Sequence, residues 1–393
     1  MWGVTIVIFV TRKDGSLAGM DTFTRNHSVG FSKSDVKTNL KEQGVMFRSY
    51  AEYLEYIKNI DYIQIMYYHL TYDCALSCPY CYSPKNGTYV TISMNKQIAD
   101  RLVELKVRNI VLTGGEPFNH PDLRKIVERL YSVGLRSISI LTNGIAVSDD
   151  LLCLIDELDI GIQISLDGYN EETNSQTRGK GTFARVLNTI SRLEAIGAEF
   201  SVMNTLTANN IAHAKHFADF FNNKGVRFGF FVVKKVKDEL RPNVEHLLDL
   251  YNYLLSMGYN AANVLDCVKS SEQMKLQETG FPITHCGAGI TDLALTPNAD
   301  VYPCLKMLDD DEQAISNLLD NDSIDRIKRH RDKTICSDLV DKRPRCSKCK
   351  IRYICGGGCR ADQSFVSKNH HSHSQCQLQQ ANIKFFLENK END

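Results

Sequence analysis

The chain has 393 residues, with 46 Lys and Arg against 47 Asp and Glu, for a net charge of −1. That length predicts two or three domains, and the balanced charge argues against nucleic acid or an anionic membrane as the main partner. The apolar run Val4–Val10 is too short to span a bilayer and lacks the flanks of a secretion signal, so a cytoplasmic protein is expected.

Residues 1–63 read as a small appendage, with a strand over Val4–Thr11, a turn at Lys13-Asp14-Gly15-Ser16 and a helix from Ser49 to Asn59. From Ile65 onward, strand-like and helix-like runs alternate. Strands are predicted at Ile65–Leu70, Asn109–Thr113, Arg136–Leu141, Ile160–Ser165, Glu199–Asn204 and Arg227–Val232. Helices are predicted between them at Asn95–Leu105, Asp122–Val133, Asp149–Leu158, Thr182–Ile196 and Ala212–Asn222, and one more at Asp238–Met257. Six such units predict an α/β fold over residues 64–280, as either an open doubly wound sheet or a partial (β/α)6 TIM-like barrel, and the barrel is the form expected. Polar and glycine motifs fall at the strand C-terminal ends, the face where such folds place their sites. Residues 281–393 read as short strands, loops and cysteines, with a hairpin turn at Thr296–Asp300 and a helical tail at Leu378–Asn389.

The 13 cysteines cluster. Cys74, Cys78 and Cys81 form C-x3-C-x2-C directly after the first core strand. Seven others are Cys286 and Cys304, then Cys346, Cys349, Cys355 and Cys359, then Cys376. Cys153, Cys267 and Cys336 stand apart, and Cys153 reads as a small buried side chain. In a chain without a secretion signal, such spacings point to metal or cluster ligands rather than disulfides. Thiolates favour iron–sulfur clusters, zinc or copper(I). A four-iron cluster usually takes four cysteines, so three in one loop leave an iron open for chemistry. The alternative is a zinc knuckle completed by His69 or a distant ligand, with structural zinc sites in the C-terminal region.

Cys74-x3-Cys78-x2-Cys81, with Tyr80 before the last cysteine, resembles the signature of the radical S-adenosylmethionine (SAM) superfamily. The resemblance implies that SAM chelates the open iron, and that its reductive cleavage yields a 5′-deoxyadenosyl radical that takes a hydrogen atom from the substrate. It also implies roles for the strand-end motifs. Gly114, Gly115 and Glu116 of Thr113-Gly114-Gly115-Glu116-Pro117 would contact the SAM amino group, and Ser165 and Asp167 would hold the ribose. Arg178 would capture the carboxylate, with Asn143 and Asn204 as weaker candidates for the same pocket.

The C-terminal cysteines resemble the SPASM extension of radical SAM peptide and protein maturases, which holds two auxiliary four-iron clusters. By the family's crossed ligation, Cys286, Cys304 and Cys359 would serve one cluster, and Cys346, Cys349, Cys355 and Cys376 the other. Seven thiolates are one short of eight. The first cluster therefore has an open iron or takes Cys267, Cys336 or a histidine.

Two departures stand out. The family's glycine before the second cysteine of this region is Ala299 here, so its turn must avoid positive φ or carry strain. Leu305 replaces the aspartate that anaerobic sulfatase-maturating enzymes place there as a proposed base, which disfavours sulfatase maturation.

These features together predict a maturase of a ribosomally made precursor peptide that installs an oxidative thioether or carbon–carbon cross-link. It would use SAM and three 4Fe-4S clusters, fed by a flavodoxin- or ferredoxin-type electron donor. Maturation of a folded protein or a peptide-derived cofactor is the alternative, and an electron-transfer protein without SAM turnover is the reading from another class. No residue of the sequence identifies the catalytic base.

Overall fold

The structure, a computed structural model, describes residues 7–21, 27–42, 50–234, 236–259, 264–265, 286–308, 311–337, 339–344, 346–365 and 373–389. The chain divides into two compact units: Asp61–Pro242 with Gly287–Thr334, and Met1–Ile60 with Asn243–Cys286 and Ile335–Asp393.

In the second of these units, β1 (Val7–Thr11), β2 (Leu17–Asp21) and β3 (His27–Gly30) form an antiparallel meander. The β1–β2 turn is the Asp14-Gly15 turn, where Asp14 accepts from the Ser16 amide at 3.0 Å and Gly15 takes φ +81°. Ala18 and Met20 on β2 face a core completed by Ile351, Ile354, Ile383, Phe386 and Leu387, against which Cys349 and Cys355 are partly buried. Tyr251, on helix Val244–Ser256, donates to Asn382 on helix His373–Asn389 at 3.2 Å.

The other unit is built on one sheet. Its strands are β4 (Ile63–Thr71), β5 (Val107–Gly114), β6 (Ser137–Thr142), β7 (Gly161–Ser165), β8 (Phe200–Leu206) and β9 (Phe228–Val232). All six pair in parallel and in chain order, the arrangement of the predicted partial barrel. Residues on alternate sides divide cleanly. Met66, Tyr68, Leu70, Ile110, Leu112, Ile140 and Ile164 are buried on the face covered by the crossover helices. Those helices carry apolar stripes, as in Leu123–Ser132, where Leu123, Ile126, Val127 and Leu130 are buried at helical spacing.

Beyond β4 the sheet continues with β10 (Asp292–Leu295), β11 (Asp300–Tyr302) and β12 (Ser316–Asn317). β10 lies parallel to β4, with Ala294 beside Tyr67, and β11 returns antiparallel to β10. Thr296–Asp300 makes the expected turn. Residues 287–317 are thus part of the same sheet as the six strand–helix units.

Several elements differ from expectation. The helix expected over 238–257 begins at Val244, because Pro242 lacks an amide hydrogen and Asn243 caps the helix by accepting from the Glu245 amide at 2.7 Å. Glu171–Arg178, outside the predicted helices, is a helix with a reciprocal Asn170–Thr173 cap. Its residues are polar all round, so no hydrophobic period marks it. Ser323–Ser337 is a further helix beyond those predicted, with Ile327 and Ile335 buried along it. Cys153 is exposed rather than buried, since Leu151, Leu152, Leu154 and Ile155 take the inner face of Asp149–Leu158. Of the strand predicted over Val4–Thr11, residues 4–6 lie outside the described residues, as do Cys267 and most of the connector around it.

Ala299 resolves the question its turn posed, since it stands at φ +69° and is fully buried. A left-handed alanine costs about 1–2 kcal/mol, and glycine returns about 0.5–1 kcal/mol of that as lost chain entropy. Ala299→Gly is therefore expected to stabilise the protein by at most about 1 kcal/mol, read as a small rise in melting temperature. A fall would mean that the buried methyl outweighs the strain.

Candidate functional site

The cysteine loop leaves β4 and is closed at its base. The Tyr72 amide donates to Thr88 O at 2.7 Å and the Val90 amide to Leu70 O at 2.9 Å, so residues 88–90 return alongside the end of β4. Across the loop, Lys85 donates to Leu76 O at 2.8 Å, and the Cys81 amide donates to Cys78 O at 3.1 Å.

The Gly114-Gly115 pair holds this loop. The Gly115 amide donates to Thr71 O at 2.7 Å and the Glu116 amide to Asp73 O at 2.8 Å. A Cβ on Gly114 would stand 2.2 Å from Thr71 O, and one on Gly115 2.2 Å from Asp73 O. The backbone that these glycines admit is therefore the chain's own, immediately before Cys74. The Gly115 and Glu116 amides, just past β5, thus grip the root of the loop by its carbonyls.

The carboxylate of Glu116 is buried. It accepts from Thr142 Oγ1 at 2.7 Å, the Asn143 amide at 2.7 Å and the Phe118 amide at 3.1 Å. Burial pushes its pKa up while these donors pull against the shift. The effect is to tie the end of β5 to the end of β6, where Asn143 Nδ2 comes to 4.0 Å from Cys74 Sγ.

Asp167, just after β7, accepts from Tyr80 Oη, from Thr177 Oγ1 at 2.8 Å and from the Thr205 amide at 2.9 Å. It also forms an ion pair with Arg178, Nε to Oδ2 at 2.9 Å. Asn204 donates to the Asp167 carbonyl at 2.9 Å. Burial opposes the charge of Arg178, but the Asp167 carboxylate outweighs it and raises the guanidinium's pKa.

One cavity of about 850 Å³ collects most of these groups, a size in the range of small-molecule sites. Cys74, Cys78 and Cys81 line it together with Tyr80, Gly114, Gly115, Asn143, Ser165 and Arg178. Glu116, Asp167 and Asn204 are not on its wall; they are buried behind it, with their polar atoms taken up by neighbours. Below the strand ends the wall continues through Ser139, Gln163, Ser201 and Thr205, and at one rim it includes Leu305 and Lys306.

The donor set fits an iron–sulfur cluster with a small ligand beside it. Three thiols open onto one cavity, and burial pushes Cys74 and Cys78 up, with Arg178 acting against the shift at Cys78. Thiols in that state surrender protons when they bind metal. Among the described residues no three His, Cys, Asp or Glu groups meet around one point as a bare metal ion requires, so the fit rests on donor type and on the shared wall. His69 does not join the thiols. It is fully buried on β4 and absent from the cavity wall, and neither ring nitrogen has a hydrogen-bond partner among the described residues.

The C-terminal cysteines carry a signal that spacing alone did not reveal. Gly356, Gly357 and Gly358, between Cys355 and Cys359, take φ of +72°, +87° and +85°, so only glycine turns the chain there without strain. Arg343 secures the turn through Gly357 O at 2.9 Å. Asp341 holds the segment by accepting from Arg352 Nε at 2.7 Å and from Tyr353 Oη at 2.9 Å. Cys304, by contrast, follows β11 in the sheet unit, where its sulfur accepts from the Lys306 amide at 3.5 Å.

Residues 68–221 match the family described as the Radical SAM superfamily. The mycofactocin maturase MftC of Mycolicibacterium smegmatis is 27% identical over 322 residues, spanning 76% of this chain and 78% of that protein. The antilisterial bacteriocin subtilosin biosynthesis protein AlbA of Bacillus subtilis is 29% identical over 245 residues, 60% of this chain and 54% of AlbA. Of solved structures, anSMEcpe with bound AdoMet matches with a TM-score of 0.65 at 18% identity, over 83% of this chain and 96% of that one. Streptococcus suis SuiB bound to precursor peptide SuiA matches with a TM-score of 0.62 at 13% identity, over 91% of this chain and 95% of that one. At these identities the two structures show the fold, a radical SAM sheet with a C-terminal extension.

Burial drives the His69 pKa down to about 3. The folded protein thus keeps this imidazole neutral while the unfolded chain charges it below about pH 6.5. Stability is present above that pH and is lost as pH falls. Between pH 7.5 and 5.5 the wild type should lose about 1.4 kcal/mol more than His69→Leu, measured as the difference in their melting-temperature shifts. Equal shifts would mean that the imidazole protonates in the folded state.

Proposed function

Residues 68–221 are a radical SAM domain, and from that premise we propose that the protein is a maturase of a ribosomally made precursor peptide. The observation that carries the reading is the convergence of three thiols, a buried guanidinium and four strand ends on one cavity. An electron carrier needs no such ligand pocket. The named relatives favour a peptide substrate: SuiB was captured with its precursor peptide, and AlbA serves subtilosin biosynthesis.

In this reading Cys74, Cys78 and Cys81 hold a four-iron cluster and the neighbouring wall holds SAM. The bound pair supplies hydrogen-atom abstraction at an otherwise unreactive carbon. The residues of the chain orient the ligands. Arg178 presents a fork to a carboxylate, Asn143 and Ser165 offer neutral hydrogen bonds, and Gly114-Gly115 fix the loop that carries the thiols. Two auxiliary clusters, on Cys286, Cys304 and Cys359 and on Cys346, Cys349, Cys355 and Cys376, would take the electron released when a thioether or carbon–carbon bond forms. A flavodoxin- or ferredoxin-type donor in the cytoplasm would reduce the first cluster.

Leu305 on the cavity rim cannot accept a proton, which speaks against sulfatase maturation. β1 is an edge strand of its sheet, and edge strands accept extended peptides by strand addition. A leader segment docking there fits a maturase.

Anaerobically reconstituted protein, reduced with dithionite and given SAM, is expected to release 5′-deoxyadenosine and to contain about twelve irons per chain, four for each cluster. Cys74→Ser should lose about four irons and all of the 5′-deoxyadenosine. A wild type that holds its iron but yields no 5′-deoxyadenosine would sink the enzyme reading.

A further inference from the structure

Asp167 is a buried carboxylate whose hydrogen-bonding capacity the protein itself fills, with Arg178 Nε beside it in an ion pair. Tyr80 Oη, Thr177 Oγ1 at 2.8 Å and Arg178 Nε at 2.9 Å address Oδ2. Arg178 Nη2 at 3.4 Å and the Thr205 amide at 2.9 Å address Oδ1. A carboxylate offers about four lone-pair sites, so the protein itself fills them. The side chain has no exposed surface and lies off the cavity wall. Nothing of it remains for the hydroxyls of a ribose.

Arg178 has the complementary character. Its Nε–Nη2 edge faces Asp167, while Nη1 has no protein partner among the described residues and the side chain lines the cavity. Guanidinium donors form a rigid fork. An arginine held along one edge therefore presents its other edge at a set angle.

Tyr80 adds a second link. It lies between Cys78 and Cys81 on the loop of thiols, and its ring sits 5.9 Å from the Arg178 guanidinium. The carboxylate thus joins the thiol loop, the helix Glu171–Arg178 and the end of β8 at one buried point.

We propose that Asp167 is a positioning residue. It clamps Arg178 edge-on, so that the free edge meets the carboxylate of the bound ligand, and through Tyr80 it holds the thiol loop in register with that guanidinium. The proposal rests on the reading of the cavity as a SAM site and reassigns Asp167 from ribose contact to this role.

The test uses the full-length chain with its clusters reconstituted, and two probes: SAM and decarboxylated SAM, which keeps the ribose and sulfonium but lacks the carboxylate. Affinity is read by calorimetry, iron content and circular dichroism report integrity, and the spectrum of the reduced cluster reports ligand arrival. Asp167→Asn is expected to weaken SAM at least about tenfold through lost positioning while leaving decarboxylated SAM within about twofold of its wild-type value. Tyr80→Phe, which removes one donor and keeps the ion pair, should act in the same direction with a smaller loss, and it carries the test if Asp167→Asn does not retain iron.

Equal weakening of both probes would return Asp167 to the ribose or to general stability and overturn the proposal. Asn at 167 also strips Arg178 of its counter-charge, which by itself would tighten a carboxylate. Unchanged or tighter SAM binding would therefore show that charge, not position, is what Asp167 supplies, and would overturn it too. A wild type that binds neither probe would instead fail the SAM reading itself.

Discussion

The site depends on one backbone crossing, in which Thr71 to Asp73 pass within hydrogen-bond reach of Gly114 to Glu116. The two amide–carbonyl bonds there, at 2.7 and 2.8 Å, exist only because residues 114 and 115 have no side chains. Cys74 follows this crossing directly, so its position is inherited from the sheet and not from the loop it opens. From the crossing, two buried carboxylates extend the order sideways. Glu116 reaches the end of β6, and Asp167, just after β7, joins the end of β8 and bends back to Tyr80. A barrel whose strands do not close around a full circle lacks the hoop of hydrogen bonds that keeps strand ends together. Here side-chain ties do that at the face where it matters.

The inner face of the sheet shows what the arrangement gives up. In a closed (β/α)8 barrel, branched apolar side chains fill the centre. Here one row across the strands runs Tyr67, Val111, Ser139 and Gly161, and the next includes Leu141, Gln163 and Ser201. Short and polar residues leave a cavity where a core would be, and the apolar burial that supports the fold lies between the sheet and its outer helices. Space for a reaction and adhesion for the fold are thus assigned to opposite faces of the same strands, by the two-residue period alone.

This division explains what could be read in advance. The six parallel strands were legible to within a residue or two, because each is an apolar or alternating run, and β5, β6 and β7 run into glycine, asparagine or aspartate. The three thiols with Tyr80 in their loop, the strand-end residues Gly114, Gly115, Asn143 and Ser165, and Arg178 were legible as one group because their types and order resemble a known family. What could not be read was depth. Glu116, Asp167 and Asn204 have ligand-like chemistry but stand behind the wall, and no one-dimensional pattern separates a carboxylate facing a ligand from one facing an arginine. The polar helix Glu171–Arg178 escaped for lack of an apolar stripe. The pairing of β10 with β4 joins residues more than 220 positions apart, a contact that four apolar residues cannot announce.

That pairing has a mechanical meaning. β4 leads into Cys74, while β10 and its hairpin partner β11 lead into Cys304. The two thiols therefore follow strands of one hydrogen-bonded sheet, with β10 lying between β4 and β11. Electron tunnelling falls off exponentially with separation, so a pair of redox centres gains constancy of rate from a rigid ruler between them. For centres ligated at Cys74 and Cys304, the paired strands β4, β10 and β11 would be that ruler.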